Sequence, residues 1–223
     1  MENLTLIIPA KKEKESLPLV LNELKNFEGK IFVVLEKSDV DTIKSVENYQ
    51  CKIFYQTNKG YGDALIQGIR NVNTEYFCIF NADGSFSSTE IIGMYNKLIS
   101  EKIDLVFGSR YEKKAASEDD TLITLIGNYI FTMLGKIFFK LPISDILYTF
   151  VIGKTLKAKD LNLERKDFSF CVEFPIKAKR LNMKMKSIAS YERKRIAGIK
   201  KVKAFKDGLI ILIYMIKLFF LNK

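Results

Sequence analysis

The sequence predicts an α/β fold, a single domain on a mainly parallel sheet flanked by helices. Three observations carry that prediction. Short wholly apolar runs at residues 31–35 and 76–80 read as strands buried on both faces, as in parallel sheets. Segments with helical apolar spacing alternate with the strands, which requires right-handed crossovers. The run at 76–80 breaks into Asn81-Ala82-Asp83-Gly84-Ser85 before a new helical pattern. That turn sets a carboxylate at the carboxyl edge of the sheet, where open α/β sheets bind ligands.

Taken in order, residues 4–8 form the first strand, stopped by Pro9. Leu17, Val20, Leu21, Leu24 and Phe27 mark a helix over 17–27, with Ser16 as its cap. The strand at 31–35 leads through Glu36 to Asp41 into another helix, and 52–55 supplies a third strand. Gly60, Gly62 and Gly68 bracket a helix starting near Asp63. After the central strand, Ser87, Ser88 and Glu90 announce a helix reaching about Ser100. A strand at 104–107 then ends in Gly108-Ser109-Arg110.

Beyond Arg110 the pattern changes. Residues 113–120 are polar and predict a mobile loop over the site, and 122–139 predict a long apolar helix. A strand at 148–152, a helix at 171–180 and an alternating strand at 184–191 follow. No repeat or linker is visible, so 1–223 reads as one domain. Its parts are a ligand-binding half at 1–112, a second half at 113–208 and an apolar terminal helix at 209–223. The thirteen residues 209–221 make a helix of about 20 Å, short of a hydrocarbon core of about 30 Å. Such a helix packs on the core, lies in a membrane interface, or does both, with residues 200–206 touching anionic headgroups.

The chain carries 36 basic and 26 acidic residues, a net charge of +10, and is densely basic only at 193–206. This fits a solvated lysine-rich surface, or an anionic partner such as a phosphate or a membrane surface. No groove-reading motif points to nucleic acid. Cys51, Cys78 and Cys171 are far apart and lack metal spacing, as reduced packing residues of a cytosolic protein would be. Residues 4–8 are too short for the apolar core of a signal peptide. Histidine is absent, so any general base is a carboxylate, a lysine, a tyrosine or the substrate itself. Histidine triads and histidine zinc sites are excluded.

Eight stretches resemble, in order and rough spacing, the family-2 inverting glycosyltransferases, in their polyprenyl-phosphate (dolichyl-phosphate mannose synthase-like) branch. They are IIPAKKEKESL, VVLEKSDVDT, NKGYGDALIQGI, FNADGS, FGSRY, SDILYTF, FCVEFPIKAKRL and YERKRIAGIKKVKAFKDGL, and they cover nearly the whole chain. The resemblance implies a Rossmann-like nucleotide-sugar-binding domain of the glycosyltransferase A type, with its donor side in 1–112 and its acceptor side in 113–208. It also implies that Asp83 holds Mg²⁺ or Mn²⁺ against the diphosphate of the donor. Asn81 and Ser85 would be the further ligands. One carboxylate plus phosphate oxygens suits magnesium, although Asn81 stands where the family has a first acid. Pro9, Ala10 and Glu13 would line the nucleoside pocket beside Ala82, and Glu36 would meet the base or ribose of a UDP- or GDP-linked sugar. Lys59, Gly62 and Asp63, with Gly60, form a turn at a helix start whose backbone donors would approach the donor.

Arg110 offers planar, bidentate phosphate recognition. Arg193, Arg195 and Lys200, beside Gly198, would close over the donor diphosphate or the acceptor phosphate. Asp83, Arg110 and Arg195 would then carry catalysis. Thr124 and Leu125 stand before Gly127-Asn128, where the family often has an arginine that contacts the acceptor. Asp145 and Glu173 match family acids and read as structural partners or as a base.

The reaction implied is displacement at the anomeric carbon with inversion. A polyprenyl phosphate is already anionic and needs orienting; a glycan hydroxyl needs a positioned carboxylate. Absent histidine, no clear extra carboxylate, the basic stretch and the apolar tail favour the lipid phosphate, at the inner face of the cell membrane. The rivals are transfer to a glycan hydroxyl in polysaccharide assembly and a non-catalytic nucleotide-sugar binder. A nucleotidyltransferase would need a glycine-rich triphosphate loop near Ile8, which is absent.

Overall fold

The computed structural model describes residues 1–198 and 200–221. Ile199 of the basic stretch and the last two residues of the 209–223 segment lie outside them. In chain order the elements are β1 (Leu4–Pro9), α1 (Leu17–Glu23), β2 (Lys30–Leu35), α2 (Val40–Ser45), β3 (Lys52–Tyr55), α3 (Tyr61–Asn71), β4 (Tyr76–Ile79), α4 (Thr89–Ser100) and β5 (Leu105–Ser109). There follow β6 (Ala116–Ser117), α5 (Leu122–Phe139), β7 (Val151–Lys154), α6 (Thr155–Lys159), α7 (Phe170–Arg180), β8 (Met185–Ala189), β9 (Tyr191–Glu192) and α8 (Ala204–Phe220).

The main sheet has seven strands in the order β3-β2-β1-β4-β7-β5-β8. All neighbours are parallel except around β7, which runs antiparallel to both β4 and β5. Strand residues alternate between two apolar layers. Ile7 packs into the layer holding Leu65, Phe170 and Phe174, while Leu6 and Ile8 join Leu17, Phe80 and Met94 on the other face. Each such side chain contributes about 1.5–3 kcal/mol by burial, so both layers hold the sheet flat against its helices. The three cysteines are free, with Cys78 and Cys171 buried.

Several boundaries differ from the sequence reading for local reasons. The first helix stops after Glu23, because Leu24 and Phe27 are joined by a turn that enters β2. Ser16 is itself helical and makes no cap; its hydroxyl donates to Glu13 instead. The helix expected near Asp63 begins at Tyr61. The strand expected at 148–152 is shifted: β7 is Val151–Lys154, and before it only the Phe150 carbonyl continues the ladder, accepting from Gly108 N. The stretch 184–191 splits at Ser190 into β8 and β9. The 113–120 segment is tied down, because β6 pairs with β9 in a small parallel ribbon.

Candidate active site

The carboxyl ends of β1, β2, β4 and β5 open onto one edge of the sheet. Their following loops enclose a cavity of about 900 Å³. Pro9, Ala10, Glu13, Glu36, Asn81, Ala82, Asp83, Ser85, Arg110, Arg195 and Lys200 all line it. Lys59, Gly62, Asp63 and Arg193 do not.

The turn after β4 is shaped by its own side chains. Gly84 adopts φ +81°, a left-handed conformation that glycine takes without cost, and the Ser85 amide donates to Asp83 Oδ1 at 3.0 Å. Asn81 Nδ2 donates to Ser85 Oγ at 3.2 Å, which leaves the amide oxygen for another partner. Asp83 Oδ2 lies 3.4 Å from Arg195 Nη2. One carboxylate, one amide oxygen and one hydroxyl make a sparse ligand set. It fits a magnesium-type ion only when diphosphate oxygens complete the shell. Among the described residues no cluster of three metal-ligating acids, cysteines or histidines exists.

Residues 193–198 and 200–203 lie across this turn as a strap. Arg193 N donates to Ser85 O, and Ile196 N to Asp83 O at 2.8 Å. Lys201 reaches Glu13 at 2.7 Å, Lys200 reaches Asp119 at 3.1 Å, and Arg195 bridges Asp83 and Asp119. Burial raises the Asp119 carboxyl, but Lys200 and Arg195 outweigh it and hold the group below its ordinary range. The cations suited to phosphate are therefore paired with carboxylates of the same cavity. Arg193 instead fastens the strap from outside, reaching Glu23 at 2.9 Å and the Phe86 carbonyl. At the end of β2, Glu36 accepts from Lys11 at 2.9 Å.

Arg110 is placed differently from the phosphate-binding role expected of it. Its side chain is sunk, with Nε 2.7 Å and Nη2 3.1 Å from Asp145, and Nη1 3.3 Å from both Asp120 and Glu192. Burial lowers the guanidinium pKa, but the three carboxylates reverse that and raise it above its usual value. Burial also raises the Glu192 carboxyl, against the pull of Arg110. Arg110 and three carboxyl groups thus form a closed knot joining β5, the 113–120 segment and β9, and the Asp145 side chain is fully buried in it. Glu173 has a comparable role: it accepts from the amides of Glu164 and Arg165 and from Tyr214.

Asp63 also holds a loop, accepting from Thr57 N, Asn58 N and Asn58 Nδ2. Gly62 is small because the Arg165 and Asp167 carbonyls press on it. The cavity includes groups the sequence did not single out, among them Asp119, Asp120, Asn128, Glu192 and Lys201. The lining also includes the apolar residues Tyr61, Leu147, Phe168, Cys171, Val202 and Ile211. Position within the polar 113–120 segment and the basic 193–206 stretch was the only sequence signal for Asp119, Asp120 and Lys201.

A mainly parallel sheet whose carboxyl edge carries this aspartate turn under a cationic strap has the architecture of the glycosyltransferase A-type fold. The chain belongs to glycosyl transferase family 2, whose model matches residues 5–160. It is 23% identical over 209 residues to an uncharacterized glycosyltransferase of Mycobacterium tuberculosis, covering 94% of each chain. It is 25% identical over 145 residues to the UDP-N-acetylglucosamine–dolichyl-phosphate N-acetylglucosaminyltransferase of Methanococcus voltae, covering 55% of this chain and 58% of that one. Among solved structures, glucosyl-3-phosphoglycerate synthase of Mycobacterium tuberculosis in complex with UDP superposes with a TM-score of 0.74 at 11% identity. That match covers 97% of this chain and 79% of the synthase. The same enzyme with Mn²⁺, UDP-glucose and phosphoglyceric acid gives 0.72 at 10%. At such identities the likeness is one of fold.

Proposed function

We propose that the protein moves a sugar, with inversion, from a UDP- or GDP-linked donor to a polyprenyl phosphate, working at the inner face of the cell membrane. The observation that carries this reading is the mixed lining of the cavity. Its charged residues, among them Asp83, Arg195 and Lys200, suit a diphosphate. Its apolar residues, among them Tyr61, Phe168 and Ile211 on α8, suit the first isoprene units of a lipid. The dolichyl-phosphate relative supports the same acceptor class.

In the reaction, an acceptor phosphate oxygen attacks the anomeric carbon as the bond to the donor diphosphate breaks, and the nucleoside diphosphate leaves. Glu36 and Glu13 flank the nucleoside end, with Pro9, Ala10 and Ala82 forming its wall. Arg195 and Lys200 exchange their carboxylate partners for the diphosphate and stabilise its growing charge. Asp83, with Asn81 and Ser85, would hold a divalent ion, Mg²⁺ or Mn²⁺. When bound, that ion supplies further neutralisation of the leaving group. The phosphate acceptor arrives ionised, so no side chain need remove a proton.

A second reading has a specific observation in its favour. The sequence offered no clear extra carboxylate, yet Asp119, Asp120 and Glu192 line the cavity, and any of them could serve a hydroxyl acceptor. Incubation with membranes, Mg²⁺ or Mn²⁺ and labelled nucleotide sugars separates the two. Label entering the organic phase supports the lipid phosphate, and label confined to aqueous polymer supports the glycan hydroxyl. Donor binding without turnover at any metal concentration would leave a non-catalytic binder. Asp83→Ala should abolish transfer while leaving the fold intact; near-normal turnover would refute the metal assignment.

A further inference from the structure

Helix α5 is built inside out for a helix bathed in water. Its polar residues Thr124, Asn128 and Thr132 recur every four positions and face the protein. Asn128 donates to the Tyr111 hydroxyl at 2.9 Å, and Thr132 accepts from the Ile146 amide at 3.2 Å. The opposite face is apolar and bare. Leu122 is 71% exposed, Tyr129 63% and Ile137 61%, with Ile123, Ile126, Ile130 and Phe138 about half exposed.

Helix α8 runs alongside in the same sense, with Phe131 near Gly208 and Phe138 5.5 Å from Phe219. It buries Ile211, Tyr214, Met215 and Leu218 against the domain. It exposes a stripe made of Phe205, Leu209, Ile213, Ile216 and Phe220. Phe138, Phe219 and Phe220 touch in series, so the two bare faces join. Residues 121–140 and 200–221 contain seven lysines and one aspartate.

We propose that α5 and α8 together form a plate that lies flat in an anionic lipid surface, with α5 as its larger part. This extends the membrane placement above from the terminal helix to a second one, and does not rest on the acceptor assignment. An α5 of 18 residues is long and apolar enough to span a bilayer, but its polar side is fastened to the domain. It therefore lies in the interface, as a helix with one apolar face does. The lysines Lys136, Lys140, Lys203, Lys206 and Lys217 are exposed and match an anionic headgroup layer. A second copy laid face to face would set those same lysines against each other. The N-terminal ends of both helices, through Thr124, Asn128 and Ile211, also line the cavity, so the plate and the cavity are built on the same two helices.

The test is co-sedimentation of the full chain with phosphatidylcholine vesicles, with and without phosphatidylglycerol. The wild type should bind, more strongly with the anionic lipid. Ile126→Glu with Ile130→Glu on α5 should weaken partitioning about tenfold or more, as should Leu209→Glu with Ile213→Glu on α8. Circular dichroism melts verify folding, and serine in place of glutamate at the same positions replaces any variant that fails to fold. UDP binding by calorimetry should be unchanged in both variants. Since sedimentation uses neither donor nor acceptor, failure of the lipid-phosphate reading would leave this result standing. No wild-type binding, or loss only with the α8 variant, would overturn the plate. A dimer that ignores vesicles and dissociates on either substitution would assign the face to a second copy instead.

Discussion

Replacing Arg110 by methionine separates two roles that its position allows. All of the guanidinium's hydrogen bonds described above go to Asp145, Asp120 and Glu192, and Asp145 is fully buried. Methionine keeps much of the volume but leaves three carboxylates facing one another without a cation. Breaking a buried ion pair by removing one partner costs about 3–5 kcal/mol. That is a large share of the roughly 5–15 kcal/mol that holds a domain together. At about 2–4 °C per kcal/mol for a chain of this size, the melting temperature should fall by about 6–20 °C. Urea unfolding should show a lower midpoint at an unchanged slope. The added substitution Asp145→Asn should recover part of the loss, because it removes the charge left stranded. UDP affinity of the folded fraction should change little. The reasoning fails if Arg110→Met melts within about 2 °C of the wild type while UDP binding collapses, for then the arginine serves the phosphates.

Three further outcomes follow from named contacts. Burial raises the Glu192 pKa above 4.5, so its ionisation is harder in the fold than in the unfolded chain. Stability is thus lost as pH rises from about 4.5 through the folded value, and Glu192→Gln should lack that loss, melting progressively higher than wild type over the same window. A constant difference across pH would count against it. Tyr214→Phe removes one donor to the buried Glu173 and should cost about 1 kcal/mol, read from urea midpoints. Gly84→Ala places a methyl group against Ile196 at a left-handed φ, costing about 1–2 kcal/mol. It should also speed hydrogen exchange of the Ile196 amide, which donates to Asp83; an unchanged exchange rate would contradict the packing.

Much of the fold was legible because it is written in periodicity. The runs at 31–35 and 76–80, which became β2 and β4, are apolar on both faces, and α5 was readable to its ends because apolar spacing persists over 18 residues. The ribbon of β6 and β9, two residues each, has no such signal, since each strand exists only through the other. The site divided along the same line. Asp83, Glu13, Glu36, Arg195 and Lys200 sit on loops directly after strands or in the basic stretch, and all reach the cavity. The partners of Arg110 come from positions 120, 145 and 192, and no local pattern announces that they meet. For the same reason Asp63 looked like a ligand residue, though its carboxylate is spent on the Thr57 and Asn58 amides.

The reversed strand β7 has a consequence for how the molecule is made. It sits between β4 and β5, near the middle of the sheet, yet is among the last of the sheet's strands to leave the ribosome. Until residue 154 is synthesised, β4 has one flank of backbone donors and acceptors bare, and β5 has no neighbour joining it to the strands already laid down. A nascent chain ended near residue 112 would hold a half-sheet with an open, sticky border, prone to pairing with its own kind. Residues 1–112 are thus contiguous in sequence without being a unit of assembly.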